Sequence, residues 1–210
     1  MLRQLVICDF NGVLGRKVLA RDDDFRRAAS SAGAPLLTSC RGLIFLPRPG
    51  AIDFVRALLK HDVDVAIWST MREDNVRTLC REMFGEFMYS RLAFVRGSSD
   101  PAASKNVSLL PFSLTKDYGE RIIIIDDTAD KIRENRAGSW IVAKPFGGDP
   151  HEADISWMYH LLRAIGDAGI SLPMSISESC SQFFATTDFD APDETSTSSA
   201  SASASASLDE

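Results

Sequence analysis

The chain has 210 residues, of which 45% are hydrophobic, and its 23 basic and 29 acidic side chains give a net charge of −6. This length suits one well-filled domain, and an acidic balance without a lysine- or arginine-rich block argues against direct nucleic-acid binding. No apolar run approaches the roughly 20 residues that span a bilayer, and no signal peptide precedes the first strand-like segment, so we expect an intracellular protein, nuclear or cytoplasmic, without a membrane partner.

Short apolar runs of strand length recur along the chain. They lie at residues 5–8, 63–68, 92–95, 122–125 and, more weakly, 140–142. The run at 122–125 consists of four isoleucines and shows no polar alternation, which is typical of a strand buried on both faces of a parallel sheet.

Helical patterns alternate with these strands. Apolar side chains recur at helical spacing within residues 52–59, 76–83 and 155–165. Before the second of these helices, Thr70-Met-Arg-Glu73 has the pattern of a capping box, so we expect Thr70 to cap the helix. Short right-handed crossovers are the natural connections, and the order predicts a Rossmann-like, doubly wound α/β fold with a mostly parallel sheet.

The predicted domain covers residues 1–170. Beyond it we expect a linker at 171–186 and a disordered, acidic, Ser/Ala-rich tail at 187–210, because such composition buries too little apolar surface to offset chain ordering. Within the domain, about thirty residues separate Leu14 from the turn at 48–50. They include the charged run at 21–24, which we interpret as a solvated loop, and they suffice for a small insert but not for an independent cap domain.

Polar residues follow three of the predicted strands. Asp9 follows the first strand, Ser69 the second, and Asp126 and Asp127 the isoleucine run. Ligands bind at the carboxyl ends of strands in open parallel sheets, so we expect these side chains to converge. Clustered carboxylates repel one another unless a cation neutralises them, and oxygen-only ligands suit Mg²⁺. The implied substrate is a phosphate ester.

Residues 7–14, Ile-Cys-Asp-Phe-Asn-Gly-Val-Leu, resemble the first motif of phosphatases of the haloacid dehalogenase superfamily. Later segments, in order, are similar to the FCP/SCP group, the RNA polymerase II C-terminal-domain phosphatases and their NLI-interacting-factor-like relatives. Those segments are Leu-Pro-Arg-Pro-Gly at 46–50, Val-Ala-Ile-Trp-Ser-Thr at 65–70, Ile-Ile-Ile-Asp-Asp-Thr at 123–128 and Pro-Phe-Gly-Gly-Asp at 145–149. The resemblance covers roughly residues 4–166, and it implies an essentially capless fold and phosphoserine or phosphothreonine protein substrates.

The resemblance also implies roles for individual residues. Asp9 would attack phosphorus in line, form an aspartyl-phosphate and ligate Mg²⁺. Asp127 would ligate Mg²⁺ directly or through water, with Asp126 beside it. Ser69 would hydrogen-bond a phosphoryl oxygen.

The lysine that clamps phosphate in this family has two candidates here. Residues 105–110, Lys-Asn-Val-Ser-Leu-Leu, resemble the family's Lys-Asp-Leu-Ser-x-Leu, whereas Lys116 lies nearer the isoleucine run but lacks the pattern that follows. We therefore favour Lys105.

Asn11 departs from the family, which has a second Asp at this position. The resemblance gives that Asp two roles, a backbone carbonyl on the metal and a side chain that transfers protons, and an amide retains only the first. Loss of positioned proton transfer costs about 10²–10⁴-fold in rate. Two hypotheses follow: a phosphatase weakened by Asn11, and a catalytically impaired, protein-binding relative. The mitochondrial import receptors of this family also depart here, but no transit peptide is expected in this chain.

Overall fold

The computed structural model describes residues 3–18, 22–61, 63–98, 100 and 103–172. The predicted tail at 187–210 and all but the first two residues of the predicted linker therefore lie outside the described residues. Among those described, no helix combines the length and the apolar character needed to cross a membrane.

Eight strands, six α-helices and one short 3-10 helix (Val107–Leu109) are described. In chain order the strands and α-helices are β1 (Gln4–Cys8), β2 (Gly15–Val18), α1 (Asp23–Ser31), β3 (Leu37–Thr38), β4 (Ile44–Pro47), α2 (Ala51–Lys60), β5 (Val63–Trp68), α3 (Glu73–Tyr89), β6 (Val95–Arg96), α4 (Phe112–Thr115), β7 (Ile122–Asp126), α5 (Ala129–Ile132), β8 (Trp140–Val142) and α6 (Ser156–Asp167).

A five-stranded parallel sheet forms the centre of the fold, in the order β6-β5-β1-β7-β8. The predicted α/β class and mostly parallel sheet are thus confirmed. The strand expected at 92–95 is found at Val95–Arg96, because Leu92 still donates its backbone N–H to the carbonyl of Tyr89 in a turn after α3. Ala93 already donates its N–H to the carbonyl of Val65 in β5.

The continuous apolar runs face two cores. Val6 and Cys8 of β1 point into the larger core, which contains side chains from α2, α3 and α6. Leu5 and Ile7 of the same strand point into a smaller core with Ile132 of α5. This alternation shows why residues 5–8 form an uninterrupted apolar run: both faces of the strand are covered.

Helix α3 begins later than its sequence pattern predicted. Arg72 is its N-cap, with extended backbone and no capping side chain, so the expected capping by Thr70 is wrong. The turn before the helix is instead tied by Ser69, whose Oγ accepts a hydrogen bond from the backbone N–H of Met71 at 3.3 Å. The loop after β5 therefore extends past Thr70 before the helix starts.

The insert between β1 and α2 is a small unit of its own. Strands β2, β4 and β3 form an antiparallel sheet, and α1 connects β2 to β3. The charged run at 21–24 is not simply a loop, because Asp22 caps α1 by accepting a hydrogen bond from Phe25 N–H at 3.0 Å. Acidic side chains in the first turn favour a helix start through its dipole. Stacking of Phe45 on Phe10, with centroids 4.3 Å apart, ties the insert to the end of β1.

Candidate active site

Two neighbouring strands, β1 and β7, end where the strand order of the sheet reverses. The chain leaves β1 toward β5 and β6 on one side and later returns to β7 on the other. The register pairs Cys8 with Ile125, and the backbone N–H of Asp9 donates to the carbonyl of Ile125 at 2.8 Å. Asp9 and Asp126 consequently lie side by side at the carboxyl edge, the usual ligand position in such sheets.

Three carboxylates meet at this edge. Asp9, Asp126 and Asp127 each offer an oxygen atom, and these atoms all lie within 4.8 Å of one another. Asp9 and Asp126 are buried, whereas Asp127 is partly exposed. Burial raises the pKa of Asp9 to about 6; Lys105 opposes this and Asp126 adds to it. Burial, followed by the charge of Asp126, also raises the pKa of Asp127.

Lys105 lies between two of these carboxylates. Its Nζ is 2.9 Å from Asp9 Oδ1 and 2.5 Å from Asp126 Oδ2, and its side chain is only 1% exposed. Lys116, the other candidate, is exposed at the end of α4. The tertiary structure thus brings Lys105 into the cluster and leaves Lys116 at the surface.

Local contacts fix the acidic pair that ends β7. The backbone N–H of Thr128 donates to Asp126 Oδ1 at 2.8 Å, and its hydroxyl lies 3.1 Å from Asp127 Oδ1. Gly12 packs directly against Asp127: it has φ +103°, and a Cβ built there would lie 2.1 Å from Asp127 Oδ2. Only glycine fits this position, because any side chain would occupy the volume of the carboxylate.

Asn11 faces the backbone of the insert. Its side-chain Oδ1 accepts a hydrogen bond from the N–H of Lys17 at 2.8 Å. The next residue, Gly12, donates its N–H to the carbonyl of Gly15 at 2.7 Å, which closes the turn into β2. Asn11 is partly exposed. Its amide therefore holds the turn that follows Asp9.

Ser69 lies at the same edge but does not join the ion-pair network. Since β5 pairs Ile67 with Cys8, Ser69 extends just beyond Asp9 on the neighbouring strand. The side chain is fully buried, and its backbone N–H donates to the carbonyl of Arg96 at 2.9 Å. In the described hydrogen bonds, Oγ of Ser69 acts as an acceptor, from the N–H of Met71, so its hydroxyl hydrogen has no partner among them.

The donor set fits a hard divalent cation. Three carboxylates within 4.8 Å of each other, with no cysteine or histidine among them, match the oxygen ligands of Mg²⁺. The Nζ of Lys105 supplies one positive charge to this concentration of negative charge.

Sequence reasoning did not assign roles to Gly12, Thr128 or Lys131. The contact of Thr128 could have been anticipated, because an Asp side chain commonly accepts a hydrogen bond from the backbone N–H two residues later in an Asx turn. The charge of Lys131 opposes, as a minor cause, the rise that burial produces in the pKa of Asp9 and Asp127, but nothing in its local sequence indicates this. The role of Gly12 depends on contact with a distant strand.

Comparison with known proteins agrees with this geometry. Residues 6–169 match the model of the NLI interacting factor-like phosphatase family. The chain belongs to this family. The predicted FCP/SCP-type family and the haloacid-dehalogenase-like fold are thereby confirmed, whereas no curated protein matches the chain significantly.

The solved structures to which the chain is similar share little of its sequence. The RNA polymerase II CTD phosphatase Fcp1 of fission yeast, bound to beryllium fluoride, is 15% identical with a TM-score of 0.51; the match covers 86% of this chain and 54% of that one. CbbY from Rhodobacter sphaeroides, in complex with phosphate, is 16% identical over 70% of this chain and 88% of that one, with a TM-score of 0.45. A putative beta-phosphoglucomutase from Thermotoga maritima is 13% identical over 61% and 78%, with a TM-score of 0.42. The chain thus spans about half the length of the Fcp1 chain, and the likeness concerns the fold alone.

Proposed function

We propose that this protein is a Mg²⁺-dependent phosphatase that acts through an aspartyl-phosphate at Asp9 on phosphoserine or phosphothreonine proteins of the nucleus or cytoplasm. The observation that carries the proposal is the buried carboxylate of Asp9, ion-paired to Lys105 and adjacent to Asp126 and Asp127, in a member of a phosphatase family. The protein substrate is supported by the similarity to Fcp1, a CTD phosphatase. The small insert agrees with it, since no separate cap domain occurs between the described β1 and α2.

The contacts of Asp9 suggest which oxygen attacks. Its Oδ1 lies 2.9 Å from Lys105 Nζ and accepts a hydrogen bond from the N–H of Phe10 at 2.7 Å. These contacts orient the carboxylate, so we assign the attack to Oδ2. A bond forms between Oδ2 and phosphorus, the ester P–O bond breaks, and the leaving oxygen takes the electron pair. Hydrolysis by water then returns the free carboxylate and inorganic phosphate.

The remaining residues stabilise charge. Lys105 and Ser69 would bind phosphoryl oxygens, while Asp9, Asp127 and the carbonyl of Asn11 would hold Mg²⁺, with Asp126 beside them. When bound, Mg²⁺ neutralises phosphate charge and favours attack by an anionic carboxylate. Three carboxylates and one lysine leave a net negative site, which repels a phosphate unless a cation is added. Catalysis should therefore require the metal.

The lack of a side chain that transfers protons at position 11 should limit the rate of phosphate-ester hydrolysis. An alkoxide leaving group needs a proton and the attacking water must lose one, and the amide of Asn11 performs neither function. We expect slow turnover of serine and threonine phosphates and faster turnover of aryl phosphates, whose leaving groups are more acidic.

Hydrolysis of p-nitrophenyl phosphate with and without Mg²⁺ tests the proposal. We expect Mg²⁺-dependent turnover that Asp9→Asn abolishes and that Asn11→Asp raises at least tenfold, a floor below the usual contribution of proton transfer. Peptide mapping must accompany the assay, because Asn11 precedes Gly12 and such pairs can deamidate to Asp. Turnover that survives Asp9→Asn would exclude covalent catalysis at this site.

A second candidate function is supported by Asn11 alone. If the missing acid/base is not replaced, the protein is a binding module that retains affinity for Mg²⁺ and phosphopeptides. Calorimetry with a phosphoserine peptide and Mg²⁺ distinguishes the binding module from the phosphatase, because the module binds the peptide without releasing phosphate. In that case we expect Asn11→Asp to convert the module into an enzyme.

A further inference from the structure

The loop that carries Lys105 is docked on the segment that follows the acidic pair. The backbone N–H of Lys105 donates to the carbonyl of Lys131 at 2.7 Å. One residue earlier, the hydroxyl of Ser104 donates to the carboxylate of Glu134 at 2.9 Å. The strongest concentration of contacts is at Asn135, which ends this segment.

The side-chain amide of Asn135 both donates and accepts hydrogen bonds. Its Nδ2 donates to the carbonyl of Lys105 at 2.9 Å and to the carbonyl of Ile132 at 2.7 Å. Its Oδ1 accepts a hydrogen bond from the N–H of Val107 at 2.8 Å. Asn135 thus holds the backbone on both sides of Asn106 and anchors it to the end of α5.

This arrangement links the two halves of the ion pair through one stretch of chain. Residues 126–135 begin with Asp126, which contacts the Nζ of Lys105, and end with Asn135, which holds the backbone of Lys105. A lysine side chain is long and flexible, so its head group stays in place only if its backbone is fixed. The distance from Lys105 to its carboxylates is therefore set partly by Asn135.

We propose that Asn135 is a positioning residue that places Lys105 in the carboxylate cluster, and that through Lys105 it sets the affinity of the site for phosphate. The second half of this statement rests on the proposed function, whereas the first half does not. A purely structural role for Asn135 would lower overall stability without a selective effect on Lys105.

Amine labelling tests the first half without requiring activity. The metal-free protein is treated briefly with acetic anhydride, and labelling at Lys105 is compared with labelling at exposed Lys116 by mass spectrometry. We expect Asn135→Asp and Asn135→Leu, checked for folding by circular dichroism, to raise labelling of Lys105 at least tenfold relative to Lys116.

The matched control is Asn106→Ala. Asn106 lies in the same loop, but its side chain accepts hydrogen bonds only locally, from the backbone N–H and hydroxyl of Ser108 in the described contacts. We expect less than a threefold change at Lys105 in this control. Unchanged labelling of Lys105 in both Asn135 variants, or an equal rise in the control, would overturn the proposal.

A double-mutant cycle tests the second half. Binding of inorganic phosphate in saturating Mg²⁺ is measured for the wild type, Asn135→Asp, Lys105→Met and the double variant. We expect Asn135→Asp to weaken phosphate binding at least fivefold in the wild type and by less than twofold once Lys105 is absent. Equal effects in both backgrounds would refute action through Lys105.

Two results separate failure of this inference from failure of the proposed function. If the wild type binds no phosphate, the proposed function fails, while the labelling experiment still decides whether Asn135 positions Lys105. If the Asn135 variants do not fold, hydrogen exchange of the wild type decides instead. The Val107 amide should then exchange at least a hundredfold more slowly than exposed amides, and fast exchange would overturn the proposal.

Discussion

Replacement of Lys105 by methionine removes the only positive charge within ion-pairing distance of Asp9 and Asp126 among the described contacts. The methionine side chain retains much of the apolar volume, so the change isolates the charge. At separations of 2.9 and 2.5 Å, an effective dielectric constant of about 20 gives attractions of about 6 and about 7 kcal/mol. The protein will not lose this sum, because Asp9, whose pKa is already raised, takes up a proton instead.

The net decrease in the free energy of unfolding should match that of other buried ion pairs that lose one partner, about 3–5 kcal/mol. We expect this loss in urea unfolding of the metal-free protein at pH 7.5. The pKa of Asp9 is already about 6 in the presence of Lys105, and loss of the lysine raises it further. The stability difference should therefore shrink toward pH 5, which lies below the raised pKa of Asp9. Lys116→Met, the exposed control, should change stability by less than about 0.5 kcal/mol.

Magnesium provides the decisive comparison. Because the ion replaces the missing positive charge, saturating Mg²⁺ should stabilise the Lys105→Met variant by more than it stabilises the wild type, as linked binding requires. The same variant should bind phosphate more weakly. A loss below about 1 kcal/mol at pH 7.5, or a loss that does not depend on pH, would show that Lys105 is not the counter-ion of these carboxylates.

Three further predictions concern the surroundings of the cluster. Gly12→Ala should weaken Mg²⁺ binding at least tenfold in calorimetry by displacing Asp127, whereas Gly33→Ala, with positive φ but open space around it, should only lower stability. Because the pKa of Asp9 is raised in the folded state, the folded protein binds more protons than the unfolded chain between about pH 4 and pH 6. The free energy of unfolding therefore decreases as pH rises through this range. The metal-free wild type should gain about 1 kcal/mol between pH 7.5 and pH 5 from this group, and Asp9→Asn should remove that gain in urea titrations; an unchanged slope would contradict the assignment. Phe45→Ala should cost about 3–5 kcal/mol in the same assay, because it removes a fully buried ring stacked at the end of β1; a loss below about 1 kcal/mol would show that the stack contributes little.

Much of the fold was predictable because the central strands are buried on both faces. Four consecutive isoleucines can satisfy only such a strand, and β7 was found within one residue of its predicted bounds. The apolar spacing indicated the three longest helices, α2, α3 and α6, but not the short helices α4 and α5. The start of α3 was misplaced, because Arg72 and not Thr70 is its N-cap. The helix in the insert was missed, because the charged run at 21–24 was interpreted as a loop, whereas Asp22 caps α1.

The candidate site also contains residues that the sequence could assign and contacts that only the tertiary structure shows. Residues that end strands, such as Asp9 and Asp126, could be assigned from the sequence, since parallel strands deliver their carboxyl ends to one edge of the sheet. The pattern at 105–110 favoured Lys105 over Lys116 by resemblance to the family, but its contact with Asp126, 21 positions away in the chain, could not be derived from local sequence. The tertiary structure decides this contact, because the loop of Lys105 is hydrogen-bonded to Lys131 and Asn135 and a flexible lysine acquires its position from the backbone that carries it.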